Sequence, residues 1–266
     1  MRLEGKTAIV IGAGQSPGEG MGNGRATVLR FAQEGANIMA VDRDLTAAEE
    51  TASMVQQAGG ECVAFVADVT NEGSLATAVA AAHKRWARID ILHYNVGVSI
   101  AGGDAPLLDF TEEAFDRISA INLRGAIMAC KHVIPIMRAQ RAGAITMISS
   151  LAALENYPFV AYKATKAAMI AFTKQVAIQN AEYGIRANVI LPGLIDTPMA
   201  VDTRARASGK SRAQVAAERD ARVPLRRKMG TAWDVANAAL FLASDEANFI
   251  TGVALLVDGG GALNIG

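Results

Sequence analysis

Short apolar runs rich in β-branched residues recur along the chain, and longer stretches with apolar positions every three to four residues separate them. The runs are Thr7–Ile11, Asn37–Val41, Val63–Ala67, Ile91–Tyr94, Ala144–Ser149, Arg186–Leu191 and Ala254–Val257. The helical patterns cover Gly24–Glu34, Thr46–Ala58, Asn71–Trp86, Thr111–Gln140, Val160–Glu182 and Thr231–Ala243, the fourth with an expected break near Gly125. Strands that are apolar throughout, alternating with helices, predict a parallel sheet covered on both faces. The pattern therefore predicts a doubly wound, seven-stranded α/β sheet in a single domain spanning residues 1–266.

Two segments interrupt the alternation. Gly12–Gly24 is rich in glycine, and Asp196–Arg222 is long and polar. Both follow a strand's C-terminal end, where ligands bind in open α/β sheets, and long loops in compact domains usually carry function. The second is read as a substrate lid over 196–222, with an amphipathic helix of its own around Arg212–Arg222.

Composition narrows the class without deciding it. Apolar residues make up 51% of the chain and charged residues 20%, which suits a globular core. Lys+Arg and Asp+Glu are equal at 26 each, so nothing points to a nucleic-acid partner. The basic cluster Arg222–Lys228 is short, divided by Pro224, and read as a solvated loop. Cys62 and Cys130 stand alone, without metal-ligand spacing, so no metal and no disulfide is expected. The first strand begins close to Met1 and no apolar run is long enough to cross a bilayer. The expectation is a soluble cytoplasmic protein with no membrane partner.

The glycine loop supplies the first candidate chemistry. A strand precedes it and a helix opens after Gly24, so backbone N–H groups of the loop can approach a pyrophosphate at the helix N-terminus. Asp42 ends the second strand 18 positions after Gly24, close to the offset at which an acid hydrogen-bonds an adenosine ribose. Strand, loop, helix and acid together predict a Rossmann-type dinucleotide site. A carboxylate pairs with ribose hydroxyls and repels a 2′-phosphate, so NAD is expected ahead of NADP, with neighbouring Arg43 read as a surface charge.

Tyr162 and Lys166 are four residues apart at the start of a long helix and share one face. A free phenol has a pKa near ~10, too high for an efficient base at neutral pH. A nearby ammonium and a positive nicotinamide ring would both favour the phenolate. With Ser149-Ser150 at the end of the preceding strand, these groups match the needs of hydride transfer between an alcohol and a carbonyl.

In this order of motifs the chain resembles a short-chain dehydrogenase/reductase over essentially its whole length. Gly12, Gly22, Asn23 and Gly24 resemble that family's cofactor glycine motif, and Asp68-Val69 its adenine-contacting pair. Asn95 and Gly97 resemble the turn after its fourth strand, and the segment Pro192, Gly193, Ile195, Thr197 its nicotinamide carboxamide contact. Thr251-Gly252 and Val257–Gly260 resemble its last strand. The resemblance implies that Tyr162 is the general acid/base and that Ser150 donates to the substrate oxygen. It implies further that Lys166 holds the nicotinamide ribose and lowers the tyrosine pKa, and that Asn122 anchors a proton-relay water. The alternative role for Asn122 is to satisfy backbone groups at a helix junction. Ser149 competes with Ser150, and the second serine is preferred. The chain departs from the family in a longer spacing between Gly12 and Gly22, in Ile11 before the first glycine, and in Tyr94 where asparagine is usual.

The function expected is therefore an NAD-dependent alcohol dehydrogenase or ketone reductase acting on a small-molecule secondary alcohol or ketone. An NADPH-dependent 3-oxoacyl-thioester reductase, an isomerase or dehydratase on the same scaffold, and a non-catalytic dinucleotide sensor are the competing readings. Candidate pocket segments are Val98–Pro106, Ala152–Phe159 and the lid, with Leu154, Tyr157, Phe159 and Met199 as apolar walls. Ala164, Ala168 and Ala171 form a small-residue face on the tyrosine-bearing helix, which predicts a homotetramer.

Overall fold

The computed structural model describes residues 1–264. Its main sheet has seven parallel strands in the order β3-β2-β1-β4-β5-β6-β9. These are β1 Thr7–Ile11, β2 Asn37–Asp42, β3 Cys62–Val66, β4 Ile91–Tyr94, β5 Gly143–Ile148, β6 Ile185–Pro192 and β9 Ala254–Val257. Alternate residues of each strand feed opposite faces. Ile9 and Ile11 join Leu92, Tyr94 and Met147 in one core, whereas Ala8 and Val10 join Ile38, Ala40 and Ile190 in the other. The central strands are buried on both faces, which is why they read as uninterrupted apolar runs; the edge strands β3 and β9 are half-buried.

Helices α1 (Asn23–Gln33), α2 (Leu45–Gln57) and α9 (Ala232–Ala243) lie against the second core; α3 (Glu72–Trp86), α5 (Gly125–Gln140) and α6 (Val160–Asn180) lie against the first. Most starts are legible as side-chain caps: Asp44 accepts from Ala47 N–H, Asn71 from Ser74 N–H, and Thr231 with Asp234 forms a capping box. α1 behind Gly22 and α6 behind Phe159 are among those without a side-chain cap from their own N-cap residue, and both start beside the functional crevice described below.

The expected break near Gly125 is a π-helical turn, Ala120–Arg124, between α4 (Glu112–Ser119) and α5. Such wide turns inside helices are frequent at functional sites. Tyr94 explains the departure noted in the fourth strand: its buried hydroxyl donates to the Ile121 carbonyl inside that turn, at 2.7 Å. A Cβ on Gly125 would stand 2.5 Å from the Tyr94 hydroxyl, so this contact needs the glycine.

The segment 196–222 holds more structure than its polarity suggested. Besides α8 (Arg212–Asp220), started by a Ser211–Gln214 capping box, it contains α7 (Asp202–Ser208). The strand β7 (Ile195–Asp196) pairs with β8 (Gly230–Thr231) at its base, closing the excursion as a loop with adjacent ends. Val201, Val215, Val223 and Met229 form its own small core.

Candidate active site

The strand order reverses between β1 and β4, and a cavity of about 630 Å³ opens beyond the C-terminal ends of the strands there. This is where an open α/β sheet binds ligands. Gly12 follows β1 with φ +83°, a conformation that favours glycine. The Asn95 amide, following β4, donates to the Gly12 carbonyl at 3.1 Å and ties the two sides of the crevice together.

At one end the cavity is walled by the glycine loop and the ends of β2 and β3. A Cβ on Gly24 would lie 2.7 Å from the Asn95 amide nitrogen, so α1 can approach the Gly12 turn only with glycine there. Gly22 caps α1 through its backbone alone, and the Asn23 Oδ1 atom is buried without a hydrogen-bond partner. An uncapped helix N-terminus under a glycine loop suits a pyrophosphate. Asp42 also lines the cavity, its carboxylate accepting from Gly14 N–H at 2.9 Å and Asp44 N–H at 3.1 Å. Asp68 and Val69 line the same end; Asp68 accepts from the backbone and hydroxyl of Thr70. Arg43 is exposed at the rim. These residues fit a dinucleotide: an open helix end for phosphates and a carboxylate for a ribose.

The long spacing between Gly12 and Gly22 has a structural use. Gln15 closes the extra residues into a loop, donating to the Gly20 carbonyl and accepting from Gly22 N–H. That loop docks on the polar excursion: Glu19 N–H donates to Asp202, Arg206 donates to the Pro17 carbonyl, and Arg212 to the Glu19 carbonyl. The phosphate end and the 196–222 segment are thus physically joined.

At the other end Ser150, Tyr162 and Lys166 converge with Gly97, Pro192, Gly193, Ile195 and Thr197. Ser149 is engaged elsewhere, its hydroxyl donating to the Lys166 carbonyl at 2.7 Å, while the Ser150 hydroxyl accepts from Ala152 N–H at 3.1 Å and lines the cavity with the Tyr162 phenol. Burial pushes that phenol up to about 12; Ser150 and the Arg204 charge oppose the rise, whereas Asp104 adds to it. Burial thus favours the neutral phenol among the protein's own groups. The Lys166 ammonium stands 5.7 Å from the tyrosine ring centroid and donates to the carbonyls of Ile148 (2.8 Å) and Val96 (3.3 Å). Burial pulls it down to about 7. Gly97 makes room for it, since a Cβ there would lie 3.0 Å from the Lys166 Nζ atom.

Asn122 does not line the cavity. It is fully buried in the π turn, its side chain accepting from Val98 N–H and donating to the Val98 carbonyl and Thr165 hydroxyl. It fixes the Val98 strand exit against α6. Gly193 N–H donates to the Val257 carbonyl, and Thr197 accepts from Ala200 N–H at the entry to α7. Of the apolar candidates, Tyr157 and Met199 reach the cavity; Leu154 is 49% exposed, and Phe159 stacks edge-on against Tyr157.

Asp104 was not singled out from the sequence. Only 7% exposed, it accepts from Ala161 N–H and Tyr162 N–H at 3.0 Å each and from the Ser99 hydroxyl at 3.1 Å. It is the missing cap of α6, supplied from 57 residues upstream. The available signal was negative: a helix starting after Phe159 has no local acceptor for its first amides.

The reversal-point crevice, the phosphate-ready helix end and the serine–tyrosine–lysine cluster define an NAD(P)-dependent oxidoreductase of the Rossmann class. Residues 18–262 match the family described as enoyl-(acyl carrier protein) reductase. The chain is 38% identical to 2-(R)-hydroxypropyl-CoM dehydrogenase of Xanthobacter autotrophicus, over 96% of this chain and 97% of that one. It is similar to the crystal structure of levodione reductase, with a TM-score of 0.92, 30% identity, and coverage of 99% and 100% of the two chains. A short-chain dehydrogenase/reductase from Burkholderia xenovorans superposes with a TM-score of 0.89 at 41% identity, covering 99% of this chain and 98% of that one. The chain belongs to the short-chain dehydrogenase/reductase family.

Proposed function

We propose that the protein interconverts a secondary alcohol and its ketone with NAD(H), using Tyr162 as general acid/base. The observation that carries this reading is the meeting, in one cavity, of Ser150, the Tyr162 phenol, the buried Lys166 and the Asp42-bearing dinucleotide end. Bound NAD supplies the hydride acceptor. Tyr162 takes the hydroxyl proton of the alcohol, and returns it to the ketone oxygen in the reverse direction. Ser150 donates to the substrate oxygen and favours the ionised form of the phenol. Lys166 holds the nicotinamide ribose, and its ammonium steadies the phenolate. Asn122 keeps the π turn and the Val98 exit in register, the backbone-satisfying role at a helix junction.

Asp42 supports NAD over NADP, because its carboxylate faces the cavity whereas Arg43 is exposed at the rim. Segment 196–222 acts as the substrate lid of one 266-residue catalytic domain. Ala164 and Ala171 are exposed along α6, with Ile178 73% exposed on the same helix, which supports a homotetramer assembled through this helix. The buried free thiols Cys62 and Cys130 support a reducing, cytoplasmic setting. No helix among the described residues is long and apolar enough to cross a membrane. The test is NAD-linked turnover of a panel of secondary alcohols and ketones; a purified enzyme that binds NADH but reduces none of the ketones would overturn the assignment.

A further inference from the structure

The lid brings charge to the substrate end of the cavity that the reaction itself does not need. Arg204 of α7 and Arg219 of α8 both line the cavity beside Tyr157 and Tyr162. Arg219 is only 8% exposed, its Nε is buried without a hydrogen-bond partner, and its side chain makes no hydrogen bond to any described residue. Arg204 donates once, to the Ala200 carbonyl at 2.9 Å, leaving most of its fork free. No described carboxylate forms an ion pair with either. The lid's own acids are taken: Asp196 and Asp202 both pair with Arg212, at 2.6 and 3.3 Å. Glu155 also lines the cavity but bonds neither arginine.

A guanidinium buried without a counter-charge is costly. A second arginine whose charge opposes it adds to that cost: burial, Arg204 and Arg222 pull Arg219 down to about 10 against a smaller opposing pull from Tyr157 and from Asp196, which is itself paired with Arg212. Two unpaired planar forks facing one cavity are what an incoming oxyanion would satisfy, since carboxylates, sulfonates and phosphates accept from arginine in bidentate fashion. The position distinguishes this anion from the cofactor's pyrophosphate. Arg204 and Arg219 line the cavity with Tyr157 and Tyr162, whose rings are 5.6 Å apart, whereas the open phosphate-ready helix end is that of α1.

We propose that Arg204 and Arg219 form an anion subsite on the lid, and that the substrate is a secondary alcohol or ketone carrying a carboxylate, sulfonate or phosphate group. The proposal rests on the oxidoreductase reading given above and specifies its substrate class. Binding of the anion would supply the counter-charge the lid lacks and draw α7 and α8 over the reacting carbon. Lid closure and substrate recognition would then be one event.

The experiment compares matched methyl ketones with NADH: 4-oxopentanoate, 4-oxopentane-1-sulfonate and 4-oxopentyl phosphate against the neutral methyl 4-oxopentanoate and 5-hydroxypentan-2-one. At least one anionic ketone should exceed its neutral partner in kcat/KM by on the order of 30-fold or more, as expected when a buried charge gains or loses its partner. Arg219→Gln and Arg204→Gln should each collapse that ratio, chiefly through KM, without weakening NADH binding. The three anionic ketones decide which oxyanion is accepted. Equal use of neutral and anionic ketones, or a ratio unchanged by both substitutions, overturns the subsite and leaves the oxidoreductase reading standing. If no ketone turns over, calorimetric titration of the NADH complex with 1-propanesulfonate, propionate and propyl phosphate decides instead. Saturable binding abolished by Arg219→Gln supports the subsite, and absence of binding by all three overturns it. Arg219→Gln should melt at or above the parent temperature, because an uncompensated charge is removed. A marked loss of stability would make Arg219 a structural cation and refute the proposal.

Discussion

Asp104→Ala perturbs the catalytic helix without removing a group that meets substrate. The carboxylate is 7% exposed and accepts the second and third amides of α6, those of Ala161 and Tyr162. Removing it leaves two buried N–H donors unpaired. At about 1–3 kcal/mol for each, less partial relief by water, the expected loss is about 2–4 kcal/mol. For a domain of this size that corresponds to a fall in melting temperature of roughly 5–15 °C. Asp104→Asn keeps a neutral acceptor and should lose less. The charge has a second effect, because the Asp104 carboxylate disfavours the Tyr162 phenolate. Neutralising it stabilises the phenolate, so the phenol titrates lower and the pH profile of alcohol oxidation should move to lower pH. Thermal unfolding and the pH dependence of kcat/KM for Asp104→Asn measure the two effects separately. Parental stability in Asp104→Ala, or a profile displaced to higher pH in Asp104→Asn, would refute this reasoning.

Asp42→Ala should weaken NAD more than NADP and narrow or reverse the cofactor preference; initial rates with both cofactors decide, and strong NADP preference in the parent enzyme would instead assign control to Arg43. Gly97→Ala places a methyl 3.0 Å from the Lys166 Nζ atom and should lower kcat at near-parental melting temperature, because that ammonium is displaced from the Ile148 and Val96 carbonyls. Light scattering at micromolar protein should give the mass of a tetramer; a monomer would contradict the role given to the exposed alanine face of α6.

What the sequence disclosed follows from where the information lies. The central strands were readable because both faces are buried, so Ile9 and Val10 are apolar for opposite neighbours and the run has no polar gap. Helices with a local cap, such as α2 behind Asp44, announced their starts. Cavity residues next to glycines or in spaced motifs, Gly24, Ser150, Tyr162 and Lys166 among them, were legible because the chemistry is local in sequence. Asp104 was not, because its partners are 57 and 58 residues away and an isolated aspartate in a loop has no periodicity. The same holds for α7, whose seven residues bury only Asp202 and carry no apolar stripe. Asn122 lies in the helix break, and its partners Val98 and Thr165 come from two other segments, so its contacts are not local in sequence. The burial that raises the Tyr162 phenol is likewise a property of the packed cavity, which the i, i+4 spacing to Lys166 does not encode.

The central claim is that the Tyr162 hydroxyl moves the proton, and Tyr162→Phe tests it most directly. The substitution removes one oxygen while the ring, Lys166 and the dinucleotide end all remain. NADH binding, followed by fluorescence titration, should persist because Asp42, the glycine loop and the Lys166 contacts are intact. Turnover of the best ketone should fall by roughly 10²–10⁴-fold, the loss typical of a positioned acid/base. A Tyr162→Phe enzyme that binds NADH and keeps near-parental turnover would contradict the account and move the acid/base elsewhere in the cavity.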